Sequence, residues 1–235
     1  MRDEFHPAAD EYLETIGWLA EEGGPVISAR LAARLGKAKP SVSEMLERLV
    51  AGGYVERAGR HILLTEEGQR RALGVIRRHR LAERLLVDVI GLPWRDVHLE
   101  AGRFARAFSD ELEQRLVALL GDPATCPHGN PIPGSATVTG DAGTQMPLAD
   151  VAAGQVVRLV RVAQEIEADT ASLGYLEDGG FRPGVAAAVL ERGPDGTLVV
   201  SLDSGNLALG ARLCTQLYVV AVDPSAAGES STLRA

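Results

Sequence analysis

The chain of 235 residues has only two cysteines, Cys126 and Cys214, and they lie far apart. That argues against a disulfide framework and for a reducing compartment. No apolar run approaches the ~18 residues that a membrane span requires, so no membrane partner is expected. The first residues, Met1-Arg2-Asp3-Glu4-Phe5-His6-Pro7, lack the apolar core of an export signal, and a cytoplasmic location is expected. No phosphate loop or nucleophile motif occurs, so the chain reads as something other than an enzyme. Positive charge is also scarce: 24 Lys and Arg stand against 32 Asp and Glu, a net charge of −8.

The deficit is uneven. Residues 1–25 hold one Arg against seven acids, residues 26–80 hold twelve Lys/Arg against five acids, and residues 81–235 hold eleven against twenty. A basic segment between acidic flanks is the footprint expected of a DNA-contacting module inside an acidic protein. The local pattern agrees. Leu13, Ile16 and Leu19 set a helical period that Gly23-Gly24-Pro25 stops. Ser28 is expected to cap a short helix ending at Gly36. Pro40 and Ser41 open a third, with Val42, Met45, Leu46 and Leu49 on one face and Gly52-Gly53 at its end. Tyr54–Arg57 and His61–Leu64 read as a hairpin, after which Thr65 caps another helix.

Helix, helix, turn, helix and hairpin make a winged helix-turn-helix. The third helix and the turn before it would bring Lys37, Lys39, Pro40, Ser41, Ser43, Glu44 and Arg48 to DNA. Arg57 and Arg60 on the wing would sit near the backbone, and Arg30 on the second helix is a further DNA-binding candidate. A small α+β domain whose basic residues are merely solvated would give the same pattern.

A long helical pattern then runs from Gln69 to Leu92, a second from about Trp94 to Phe108, and a third from Ser109 with Leu112, Leu116, Leu119 and Leu120 on one face. Broad apolar faces after a DNA-binding module suit a dimer interface. His79 and Glu83, four apart, share a helix face, and His98 follows a short step on. Two imidazoles and a carboxylate suit a divalent ion such as Fe, Mn, Co or Zn, although a solvated helical pair has the same spacing. A metalloenzyme would need a further placed acid or base, and none is found. Residues 123–145 read as a linker; Cys126 and His128 lack a second pair of such residues nearby and are taken as structural. From Met146 the pattern turns to short strands with one helix at Asp169–Glu177, suiting a small barrel, and Pro224–Ala235 is expected to be disordered.

The stretches Arg78-His79-Arg80-Leu81-Ala82-Glu83-Arg84-Leu85-Leu86, Asp96-Val97-His98-Leu99-Glu100-Ala101 and Gly129-Asn130-Pro131-Ile132-Pro133-Gly134 resemble the diphtheria toxin repressor family of metal-dependent regulators. The resemblance covers nearly the whole chain and implies an α+β architecture. Its parts are a winged helix-turn-helix over residues 1–73, a helical dimerisation and metal-binding domain over 74–140, and an SH3-like β-barrel over 146–224, with a tail at 225–235. It further implies a homodimer on a palindromic double-stranded operator, loaded with Fe2+ or Mn2+, for which Co2+, Ni2+ or Zn2+ could substitute.

In that comparison His79, Glu83 and His98 match the ancillary metal site, which Gln164 and Glu167 would complete from the barrel. The primary site is degraded. Gly102, Ala105 and Arg106 stand where the iron branch has a thiol, a glutamate and a histidine, and none of the three can ligate a cation. Glu11 and Glu14 match acids of the manganese branch. Arg106 is expected to replace the ion by pairing with Glu11 or Glu14; the alternative regulator is then metal-independent or gated by another ligand. Glu44 stands where much of the family has Gln, which favours a cytosine amino group as its partner.

Overall fold

The computed structural model describes residues 7–137 and 143–222. It divides into two compact units, one of residues up to 82 with 101–121 and 132–134, the other of 83–100, 122–131 and the chain from 135 onward. The expected tail lies outside the described residues.

The first unit opens with helix α1 (Pro7–Glu21), followed by α2 (Ser28–Leu35) and α3 (Lys39–Ala51). Strands β1 (Val55–Ala58) and β2 (His61–Leu64) pair antiparallel, with Val55 opposite Leu64. This is the winged helix-turn-helix order. The expected period of α3 is realised: Val42, Met45, Leu46 and Leu49 are buried, with Pro40 in the first turn. They join Leu13, Ile16, Leu31, Tyr54 and Ala72 in one core. Ser28 does not cap α2, because Ile27 holds the extended cap position and Ser28 is already helical. Thr65 does cap: its Oγ1 accepts from the Gly68 N–H at 3.0 Å. Gly68 has to be glycine, since a Cβ there would lie 1.9 Å from the Tyr54 carbonyl oxygen.

Helix α4 (Glu66–Arg84) is shorter than expected. Its coil widens to a π-helical stretch at Leu85–Ile90, and Gly91, at φ 80°, ends it before Pro93. Helix α5 (Val97–Phe104) starts later than the sequence suggested and tightens to a 3-10 turn at Ala105–Ala107. Helix α6 (Asp110–Leu120) begins at the expected place; Ser109 caps it by accepting from the Leu112 N–H, and of its apolar face Leu116 is buried while Leu112 and Leu119 are exposed.

The second unit is a small antiparallel barrel of the SH3-like type. Its strands are β3 (Met146–Pro147), β4 (Val156–Val162), β5 (Ala186–Arg192), β6 (Leu198–Leu202), β7 (Gly205–Leu209) and β8 (Leu217–Ala221), in the order β3-β8-β4-β5-β6-β7. Register shifts at Leu159/Arg161 and Val189/Glu191 bend the sheet. Helices α7 (Gln164–Glu167), α8 (Thr170–Asp178) and α9 (Ala211–Gln216) fill the connections. Leu148, Leu159, Leu173, Phe181, Val200 and Val219 centre the core.

The stretch read as a linker is partly a buried strap. Cys126 N–H donates to the Asn130 carbonyl at 2.8 Å, Gly129 N–H to that of Cys126 at 2.9 Å, and Val162 N–H to that of His128 at 3.0 Å. Gly129 presses so closely on β4 that a Cβ there would meet the Val160 carbonyl oxygen at 2.0 Å. That contact fixes where its neighbours His128 and Asn130 point.

Candidate metal centre

Four separate stretches of the second unit bring polar side chains into one buried spot. Glu83, in the last turn of α4, is fully buried, and its Oε1 lies 3.0 Å from Nδ1 of His98 and 3.5 Å from Nδ1 of His128. His98, near the start of α5, also lies 3.1 Å from Oε2 of Glu167 on α7. Glu167 accepts from Asn130 Nδ2 at 2.5 Å and from Gln164 Nε2, and its Oε1 is 4.0 Å from His128 Nδ1. Ligand atoms of Glu83, Cys126 and His128 lie within 4.8 Å of one another. Trp94 walls the spot: its ring packs on His128 at 5.0 Å, and its Nε1–H donates to the Pro127 carbonyl at 3.0 Å.

Two buried carboxylates this close to one another repel unless a cation lies beside them. His128 is the more telling group. Both its ring nitrogens are buried and neither makes a hydrogen bond. An imidazole left that way forfeits about 1–3 kcal/mol for each unsatisfied group, whereas an ion-ligating imidazole does not. Carboxylate, imidazole and thiol donors together suit a borderline divalent ion, and the residues fit one.

Of the residues expected here, Glu83, His98, Gln164 and Glu167 come together in this unit. His79 lies one turn before Glu83 on the same helix, α4. Cys126 and His128 were expected to be structural; both are buried beside Glu83. Each lacks a partner near it in sequence, because the partners arrive from Glu83 and from Glu167. The only local signal was the pair of donor side chains two residues apart ahead of Gly129.

In the first unit, His79 Nδ1 lies 3.0 Å from Oε1 of Glu14, and both side chains are buried. Trp18 meets the His79 ring edge-on at 5.2 Å. A small cavity here is lined by Asp10, Glu14, Arg78, His79, Gly102, Ala105 and Arg106. The expected pairing of Arg106 is not formed. The 3-10 turn at Ala105–Ala107 leaves Arg106 exposed, Glu11 pairs with Lys37 at 2.5 Å, and Glu14 faces His79.

On α3, Lys39, Pro40, Ser41, Ser43, Glu44 and Arg48 are exposed, as are Arg57 and Arg60 on the hairpin. Lys37 and Arg30 are half-buried: Lys37 pairs with Glu11 and lies over the Tyr12 ring, while Arg30 bonds the Pro25 carbonyl at 3.0 Å and Glu22 at 3.3 Å.

The chain matches three family models. These are the N-terminal DNA-binding domain of iron dependent repressors over residues 4–63, their metal binding and dimerisation domain over 65–134, and the FeoA domain over 146–221. The iron-dependent repressor IdeR of Mycobacterium tuberculosis is 39% identical over 207 residues, covering 84% of this chain and 90% of its own. The diphtheria toxin repressor of Corynebacterium diphtheriae is 39% identical over 204 residues, covering 81% and 86%. Among solved structures, a manganese-dependent transcriptional repressor in complex with manganese is similar at a TM-score of 0.80 and 32% identity, covering 91% of this chain and 100% of that one. ScaR with bound Zn2+ follows at 0.73 and 25%, covering 91% and 99%.

Proposed function

The chain belongs to the iron-dependent repressor family, and on that premise we propose that it represses transcription as a homodimer on a palindromic operator, with a divalent ion held at Glu83, His98, Cys126, His128 and Glu167. His79, one turn before Glu83 on α4, is the further ligand that the resemblance implies. The observation that carries the reading is His128, buried with both nitrogens unsatisfied beside two buried carboxylates.

A bound divalent ion supplies the positive charge that lets Glu83 and Glu167 stay ionised side by side. Gln164 and Asn130 hold Glu167 through amide donors, which fixes the carboxylate that faces His98. Fe2+ and Mn2+ are the ions that fit the family, with Co2+, Ni2+ and Zn2+ as substitutes; a Cys126 thiolate favours the softer of these. On the DNA side, the exposed start of α3 enters the major groove, with Ser43 and Glu44 toward base edges and Lys39, Arg48, Arg57 and Arg60 toward phosphates. Glu44 accepts from a cytosine amino group. Half-sites then lie one helical turn apart or a multiple of it. Relatives in this family are named as transcriptional repressors, and we read the chain as a regulator acting in the cytoplasm.

Titrating an operator fragment with the full chain, in Mn2+ or Fe2+ and again with chelator, tests the reading. Tight binding that chelator abolishes, and that Glu83→Ala cannot reach at the same ion concentration, is the expected result. Equal affinity in all of these samples would refute ion control.

A further inference from the structure

The family's primary ion would sit beside Glu14, and the residues of this chain do not fit one there. Gly102 and Ala105 bring no donor, and Arg106 brings a permanent cation. Asp10 is taken by Arg71 at 2.7 Å and Glu11 by Lys37 at 2.5 Å. Among the described residues lining this cavity, Glu14 and His79 are left, fewer donors than the three or four that hold a divalent ion. Arg78 and Arg106, two permanent cations, also line the cavity, which disfavours a further cation there.

We propose that this pocket is not a metal site, and that α1 is fastened to α4 by charge pairs which do an ion's work permanently. Two charge pairs run between the helices, Asp10 to Arg71 at 2.7 Å and Glu21 to Arg80 at 2.6 Å, and between them Glu14 Oε1 faces His79 Nδ1 at 3.0 Å. They span α1 from its first turn to its last. The sequence segregates charge to allow this, since α1 carries four acids and no Lys or Arg while α4 carries six Arg. Gly17 faces α4, where a Cβ would meet Ile76 Cδ1 at 2.8 Å. Arg80 is buried to within 2%, so its pair with Glu21 is less screened than a surface contact. The winged helix-turn-helix therefore keeps its first helix in place whether or not an ion is bound elsewhere in the chain.

The proposal rests on family membership and not on the Glu83–His128 centre. Two measurements on the full chain test it. Equilibrium dialysis against Mn2+, read by elemental analysis, is expected to give one ion per protomer in both the natural chain and Glu14→Gln. A second ion that Glu14→Gln removes would overturn the proposal. Hydrogen exchange of residues 7–21 is expected to stay within about twofold when chelator is added. The Asp10→Asn/Glu21→Gln double variant should accelerate that exchange at least tenfold while barrel amides keep their protection. Loss of α1 protection on chelation, or an unchanged double variant, would also overturn it. No bound ion at all would count against the Glu83–His128 centre and not against the clamp, which the exchange measurement judges alone.

Discussion

Replacing Glu83 by Gln should move the metal-free and metal-loaded proteins in opposite directions. Glu83 and Glu167 each lie within 3.1 Å of the same His98 nitrogen, so their carboxylate oxygens are no more than about 6 Å apart. At an effective dielectric of ~20, two unit charges at that distance repel by about 3 kcal/mol. Gln keeps an oxygen that accepts from His98 and removes the charge. The metal-free variant is therefore expected to be as stable as the natural chain, or up to about 3 kcal/mol more stable. With ion at 100 times its dissociation constant, the natural chain gains ~2.7 kcal/mol. That corresponds to roughly 5–10 °C in melting temperature for a chain of this size. If losing a charged ligand weakens the site by about 100-fold, the upper end of outer-shell losses, the same ion concentration stabilises the variant by only ~0.4 kcal/mol, about 1 °C. Differential scanning calorimetry with and without Mn2+ reads both effects. A variant that keeps the full metal-induced shift, or melts several degrees lower without metal, would refute the assignment.

Cobalt offers a direct view of the thiol: Co2+-loaded protein should show a near-ultraviolet thiolate-to-cobalt band that Cys126→Ser abolishes, and its absence from the natural chain would remove Cys126 from the ligand set. Asp169 caps α8 by accepting from the Ser172 backbone and hydroxyl, and those bonds hold its carboxyl below the ordinary aspartate value. Asp169→Ala is thus expected to cost about 1 kcal/mol at neutral pH. Because the folded value is the lower one, this contribution is present above the usual ~3.9 and is lost as pH falls through the folded value. Thermal melts from pH 7 down to strong acid should show the gap between natural chain and variant closing only there; a gap that closes near pH 6 would contradict the cap.

Local signals were legible where one short segment carried them. The α3 period, its proline and the Thr65 cap each lie within a few residues, and each is realised. Ser28 misled because the cap position depends on backbone angles, and Ile27 holds the extended one. Strand β7 was hidden behind Ser204-Gly205, which reads as a break but makes a tight hairpin; Leu207 and Leu209, buried two apart, were its faint signature. The buried cluster around Glu83 was half legible. Helical spacing joined His79 to Glu83, but Cys126 and His128 draw their meaning from Glu83 and Glu167, each more than thirty residues away. Arg106 failed because its expected partners are engaged elsewhere: Glu11 pairs with Lys37, Glu14 faces His79, and Arg106 stays exposed.

The basic block of residues 26–80 shows how charge counting can overstate a footprint. Of its twelve Lys and Arg, eight are spent within the first unit or on their own helix. Arg30 and Arg34 meet Glu22, Lys37 meets Glu11, Arg70 meets Glu67, Arg71 meets Asp10, Arg77 and Arg78 meet Glu113, and Arg80 meets Glu21. The remaining four, Lys39, Arg48, Arg57 and Arg60, have no ion pair among the described residues and are all exposed on α3 or the hairpin. The acidic N-terminal segment and the basic segment after it are therefore largely one structural device, which holds α1, α2 and α4 together. Phosphate contact falls to the residue of that charge. A salt slope of about −0.9 per neutralised phosphate then scales with four cations per protomer and not with twelve. Affinity drawn from so few contacts depends on having both heads of a dimer spaced correctly, which is the property that an ion-ordered regulator can control.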